Sequence, residues 1–253
     1  MKYWLQIVVL FALSLIAFSL KSQLNVTTFG IQFKPIFSNK YFDTGPIQVQ
    51  KDFLSVNFEP KGGYSYGMII RKGLSDRISI ETGINYTRRV YNTRFTDSDS
   101  LVNAELAFRF ISYEIPVQAL FFVRLGDKIW MNGAGGVSID LYASDVFVSD
   151  FVNNNGIIYD FEVRTFRRSI AQLALLANYG FEYRTEEDGF IYLGLSYHRP
   201  FTYMATSEAT YSHDGFISKL SSNINGNYLT IDLRYYFHED PEKKKKKVKR
   251  SNN

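Results

Sequence analysis

The sequence predicts an all-β protein: an eight-stranded antiparallel up-and-down transmembrane β-barrel with short periplasmic turns and long extracellular loops. Three observations predict it. Eight segments alternate apolar and polar residues with period two, which a helix does not show. Their connections alternate short and long. An apolar leader precedes them all. The short joints are Leu74–Arg77, Gly126–Lys128 and Thr185–Gly189. The long ones are Asn39–Lys61, Asn92–Glu105, Ser144–Arg168 and Ala205–Gly226. Membrane barrels have this asymmetry, with tight turns inside and large loops outside.

The leader opens with Met1–Lys2 and runs apolar from Leu5 to Leu20. Its length and flanks fit a secretory signal peptide cut after Ser22, with the mature chain starting at Gln23. A membrane anchor is the alternative, but the apolar run is short for a span. The chain then divides into a leader (1–22), a barrel domain (23–237) and a charged tail (238–253).

Each strand earns its place by alternation. In the first, Phe29, Ile31, Phe33 and Phe37 oppose Thr28, Gly30, Gln32 and Lys34. In the second, Tyr64, Tyr66, Met68 and Ile70 oppose Ser65, Gly67 and Arg71. Ile78, Ile80, Ile84 and Tyr86 oppose Ser79, Glu81 and Asn85 in the third. The fourth, about 106–125, sets Ile111, Tyr113, Ile115, Val117 and Phe121 against Ser112, Glu114, Gln118 and Arg124. The fifth sets Val137, Ile139 and Leu141 against Asn132, Ser138 and Asp140, with a bend or bulge expected at Gly133–Gly136. The sixth, seventh and eighth carry Leu173 to Tyr183, Ile191 to Tyr197 and Leu229 to Phe237 on their apolar faces. Pro35 and Pro116 each remove a ladder donor, so a bulge or strand end is expected near both.

Alternation alone does not say which face points inward. A soluble lipocalin-like ligand carrier would bury the apolar face; a membrane barrel turns it outward. The loop asymmetry favours the membrane, as do the rings at Tyr179, Phe181, Tyr183, Tyr235 and Phe237. So does a charge set confined to the polar face: Arg71, Glu81, Glu114, Arg124, Glu182, Arg184, Asp232 and Arg234. Four acids and four bases can neutralise one another in a lumen that side chains fill. A plugged barrel that conducts little is the expectation.

Composition excludes several classes. There are 22 Phe and 18 Tyr but no Cys. That removes disulfide scaffolds, thiolate metal sites and catalytic thiols. The net charge of +4 comes from the tail, where Lys243 to Lys247, Lys249 and Arg250 cluster. Global basicity therefore does not point to nucleic acid. The tail reads as a disordered solubilising segment or a periplasmic contact.

Segments such as GIQFKPIF and SYEIPVQALFF, the eight-strand layout and the closing IDLRYYF together resemble the outer-membrane β-barrel domain family common in Bacteroidetes, the PorT-like group. The resemblance covers about Leu24 to Phe237. It implies an outer-membrane location, delivery by the barrel assembly machinery with Phe237 as the terminal aromatic of the assembly signal, and a possible link to a secretion pathway. The chain departs from the group's commonest form because a charged tail follows Phe237.

Chemistry is sparsely indicated. Ser196 and His198 share a strand face, as a nucleophile and base would in a lipid-modifying barrel enzyme; chance gives the same pair readily. His213 and His238 read as solvated. Asp97, Asp99, Asp145 and Asp150 match no calcium-loop spacing. No phosphate-loop motif is present. The expectation is a monomeric, non-enzymatic envelope component without metal or cofactor, embedded in outer-membrane lipid. It would contact envelope or secretion-system proteins through its loops or tail. A surface adhesin or receptor is the alternative.

Overall fold

The computed structural model describes residues 27–38, 42–185 and 189–237. The leader and the charged tail lie outside the described residues, as does His238. Among the described residues there are thirteen strands and no helix, where the sequence predicts eight strands. They are β1 (Thr27–Phe37), β2 (Ile47–Lys51), β3 (Leu54–Gly73), β4 (Ile78–Asp97), β5 (Asn103–Arg124), β6 (Ile129–Tyr142), β7 (Val146–Asn154), β8 (Ile157–Arg167), β9 (Ala171–Arg184), β10 (Phe190–Pro200), β11 (Ala205–His213), β12 (Phe216–Ile224) and β13 (Tyr228–Tyr236). Every pairing is antiparallel.

One set of strands pairs in the order β1, β13, β10, β9, β6, β5, β4, β3, and β3 returns to β1. This sheet is a closed ring with no free edge. The first and last strands pair with each other, and at the described ends of the chain the Phe237 N–H donates to the Phe29 carbonyl. The remaining strands correct the expected loops. The segments 144–168 and 205–226 are the hairpins β7–β8 and β11–β12, which pair as a four-stranded sheet β12-β11-β8-β7. The first turns at Asn155–Gly156 and the second at Asp214–Gly215, all four residues having positive φ. Asn-Gly and Asp-Gly are the dipeptides that two-residue hairpin turns prefer.

The segments 39–61 and 92–105 are also largely strand. β2 pairs with the start of β3, and β4 and β5 run on past the ring to Asp97 and Asn103. Above the ring, β7 takes its place beside β5 and β12 beside β2. Together these strands enclose a second, apolar core containing Leu54, Phe95, Phe110, Phe161, Met204 and Tyr211.

The inside of the molecule therefore changes character along its length. In β5, residues 104–122 of even number are buried throughout. Leu106, Phe108 and Phe110 fill the upper core; Ser112, Glu114 and Gln118 face the ring's interior. On the opposite face, Glu105 and Arg109 above give way to Tyr113, Val117 and Phe121 below. The inward side switches from apolar to polar and the outward side from polar to apolar, at Phe110–Ser112.

Pro35 lies two residues before the end of β1 at Phe37, a strand end close by as expected, while Pro116 and Gly133–Gly136 lie inside unbroken strands. The register does not shift at Pro35, Pro116 or Gly133–Gly136. The β4–β5 pairing merely skips two positions opposite Pro116, and the Thr82 hydroxyl donates to the Pro116 carbonyl at 2.8 Å. A ladder can omit one donor without slipping when both flanks stay paired. The register shift lies at Pro60–Gly63, where β3 passes from the upper body into the ring.

Candidate functional site

The ring encloses a polar network that divides into three tiers. In the tier nearest the termini, Glu81 is fully buried. Its carboxylate accepts from Arg71 Nε (3.1 Å), Arg234 Nη1 (2.6 Å), Gln118 Nε2 (3.0 Å) and Tyr236 Oη (2.5 Å). Arg71 also reaches Glu182 at 2.5 Å and lies 3.8 Å from the Tyr236 ring centroid. Arg184 pairs with the other oxygen of Glu182 at 2.5 Å. Each charge is thus held by opposite charge and by hydrogen bonds, the condition for keeping ions out of water.

The middle tier centres on Asp232. It receives Arg234 Nη2 (2.6 Å), Ser196 Oγ (2.6 Å), Thr230 Oγ1 (2.6 Å) and Asn178 Nδ2 (3.1 Å), with Lys34 Nζ at 3.5 Å. Tyr192 crosses this space and donates to Asn178 Oδ1 at 2.7 Å. Gly180 and Gly194 are register partners, and a Cβ on either would collide with the Tyr192 hydroxyl. The two glycines are what admit the ring.

The upper tier holds Glu114, Arg89, Asp140 and His198. Tyr228 Oη donates to Glu114 Oε2 at 2.7 Å, and Arg89 Nη2 lies 3.5 Å from Glu114 Oε1. Arg89 is tethered by donation to the Gly226 carbonyl (2.8 Å) and to Ser112 Oγ (3.0 Å). His198 Nε2 stands 2.9 Å from Asp140 Oδ2, and the imidazole stacks on Tyr228 at 4.5 Å. Immediately above lies the apolar core.

The structure brings together seven of the eight charged residues expected in the lumen. The exception is Arg124, which is exposed at the turn end and pairs with Asp127 at 2.9 Å. Its position beside the Gly126–Lys128 turn lets it reach solvent, so burying its charge is avoided. Lys34, Arg89 and Asp140 complete the network. Lys34 and Asp140 already sit on polar faces in the sequence; Arg89 lies where β4 runs beyond its expected end.

Ser196 and His198 do share the inward face, but Ser196 hydrogen-bonds to Asp232 and Asn178, while His198 turns to Asp140 and Tyr228. The pair is not assembled as nucleophile and base, and His198 is 1% exposed. The loop acids do not converge. Asp97 caps the β4–β5 turn, accepting from the Asp99 and Ser100 N–H groups, and Asp145 accepts from the Arg167 N–H. His213 packs among Tyr159, Tyr211 and Phe216. Phe237 is half-exposed and meets Tyr235 edge-on.

In the upper body, burial works against the Asp97 charge. Hydrogen bonds from Ser100, Tyr211 and the two backbone N–H groups outweigh it and hold the carboxyl below its usual range. Burial and the adjacent carboxylate push the Tyr211 hydroxyl upward.

No protein-family model matches the chain, and no curated protein matches it. Among solved structures it is similar to the outer membrane protein OprG from Pseudomonas aeruginosa, with a TM-score of 0.47 and 9% identity over 86% of this chain and 99% of that one. The likeness is one of all-β architecture, and the reading of this chain's function rests on its own residues.

Proposed function

We propose that this chain is a non-enzymatic outer-membrane β-barrel protein, a structural or accessory component of the envelope. The eight strands of the closed ring form its membrane wall. One observation carries the reading: the ring is apolar outside and ionic inside. Phe33, Met68, Ile84, Val117, Leu175 and Leu193 all point outward and are at least two-fifths exposed. Among the described residues, charges appear on this outer face only towards the limits of the ring, at Lys72 near the short turns and at Arg88, Arg109 and Arg199 near the upper body. A soluble protein would leave that belt in water at large hydrophobic cost, whereas lipid accepts it. The aromatic cluster Tyr64–Tyr66–Tyr86–Tyr113 lies near the upper limit of the belt, where an interface would be.

With both described ends of the chain at the short-turn side, that side is periplasmic and the upper body is extracellular. The lumen is filled by its own side chains and roofed by the apolar core, so the barrel is closed to ions. Contact with envelope partners falls to the upper body, whose β7–β8 hairpin exposes Phe147, Phe151, Ile158 and Phe166. The resemblance to the PorT-like group rests on the GIQFKPIF, SYEIPVQALFF and IDLRYYF segments alone, and the lysine-rich tail is a second place for contact.

The test is fractionation with heat modifiability. A band resident in the outer membrane that changes gel mobility on boiling supports the reading. A soluble periplasmic protein without a shift sinks it. Stable conductance in planar bilayers would overturn the closed lumen separately.

A further inference from the structure

We propose that Glu114, Asp140 and His198 form a site for one divalent transition-metal ion of the zinc class inside the ring. One potential ligand atom from each lies within 4.8 Å of the others, and all three side chains are buried. They come from three strands. Glu114 and Asp140 are direct register partners on β5 and β6, and β10 brings His198 to them.

Charge accounting singles out Asp140. Glu81 has Arg71 and Arg234, Glu182 has Arg71 and Arg184, Asp232 has Lys34 and Arg234, and Glu114 has Arg89. Among the described residues, Asp140 has neither lysine nor arginine within ion-pair distance; the imidazole is its cationic candidate. Yet Asp140 Oδ2 and both ring nitrogens of His198 are buried without a hydrogen bond to a described group. The 2.9 Å approach of Nε2 to Oδ2 lacks hydrogen-bond alignment. Buried polar atoms are rarely left unsatisfied, and those that are need an explanation. An ion between the three residues satisfies Oδ2 and one ring nitrogen together.

The surrounding groups orient the carboxylates as metal ligands require. Ser138 Oγ donates to Asp140 Oδ1 at 2.7 Å, leaving Oδ2 free. Tyr228 Oη occupies Glu114 Oε2 at 2.7 Å, leaving Oε1 with only long contacts at 3.4 Å and 3.5 Å. Such outer hydrogen bonds fix ligand orientation in metal sites. One imidazole nitrogen with two carboxylate oxygens suits zinc-class ions better than calcium or magnesium, which take oxygen alone. Beside the imidazole, two carboxylates and Arg89 leave one net negative charge to receive the cation. The site lies under the apolar core, so the ion enters as the ring closes. The inference needs only this interior geometry and stands apart from the membrane reading.

The experiment is refolding of the full chain in detergent with Zn2+ or Co2+, followed by removal of free metal and elemental analysis. Retention of about one ion per chain, with visible Co2+ ligand-field bands, is the expected result. His198→Gln and Asp140→Asn should each bind at least about tenfold more weakly. Each variant is scored only if its β-sheet circular-dichroism spectrum and cooperative urea unfolding are retained, with Glu114→Gln as the substitute where one fails to fold. Substoichiometric metal and absent Co2+ bands in folded wild-type protein would overturn the site.

Discussion

The lower and upper halves of β5 obey opposite rules. Below Ile111 the strand hides Ser112, Glu114 and Gln118 and shows Tyr113, Val117 and Phe121. Above Phe110 it hides Leu106 and Phe108 and shows Glu105 and Arg109. The backbone is continuous and the parity of burial never changes, so geometry is constant and only the surroundings differ. The lesson is that inward and outward are defined by the solvent at each height. On the proposed reading, lipid outside the ring calls for a polar filling, and water outside the upper body calls for an apolar one.

Four tests can break or sharpen that contrast. The largest effect is expected from Glu81→Ala in the ring. It strips Arg71 and Arg234 of a shared partner and leaves the tier one negative charge short, and an uncompensated buried charge costs about 3–5 kcal/mol. Urea unfolding of the refolded protein measures this; a loss below about 1 kcal/mol would mean that water already reaches the lumen. Next comes Phe95→Ala in the upper core, where Phe95 packs edge-on against Phe161 at 5.1 Å. A cavity there should cost about 3–5 kcal/mol. Proteolysis should then open the upper body first, and simultaneous loss of the boiling-dependent shift would show the two halves to be one cooperative unit.

The third compares two outward positions on one strand. Val117→Arg should cost about 2–4 kcal/mol in liposomes, because it puts charge into the lipid belt. Ala107→Arg, ten residues higher on the same face, should be close to neutral. Equal costs would place both positions in the same solvent and dissolve the contrast.

The smallest effect concerns Tyr211→Phe, which removes the 2.5 Å donation to Asp97. A hydrogen bond to a charged group contributes about 1.5–3 kcal/mol. Because the folded Asp97 carboxyl sits below its usual range, its contribution is present at neutral pH and lost as pH falls through the folded value. Asp97→Asn should therefore flatten the acid limb of the stability profile. An unchanged limb would assign acid sensitivity to other carboxylates.

The ring was legible in the sequence because its outward face meets one kind of solvent along each strand. Leu173 to Tyr183 and Ile191 to Tyr197 alternate without interruption, and these became β9 and β10. The upper body was not legible because β5 switches its apolar residues from even to odd positions at Phe110–Ile111. A single-parity reading leaves Leu106, Phe108 and Phe110 unplaced. Signals for β8 were there, in Tyr159, Phe161 and Val163 alternating with Asp160, Glu162 and Arg164, and in the Asn-Gly and Asp-Gly turns. Polar neighbours made these segments resemble loops. Of the site, the polar faces were visible, but the meeting of Asp140 with His198 depends on register across strands that no local pattern encodes.

The unbroken run of β5 from Asn103 to Arg124 also has a mechanical meaning. At about 3.3 Å per residue, one strand links the tip of the molecule to its base without a joint. β3 and β4 make the same passage beside it, the first with a bulge at Pro60–Gly63. Three struts paired side by side resist bending far better than a tether would. A pull on the β7–β8 hairpin would pass straight into the wall of the ring, and the tip is held at a fixed height above it, like a mast stepped through a deck.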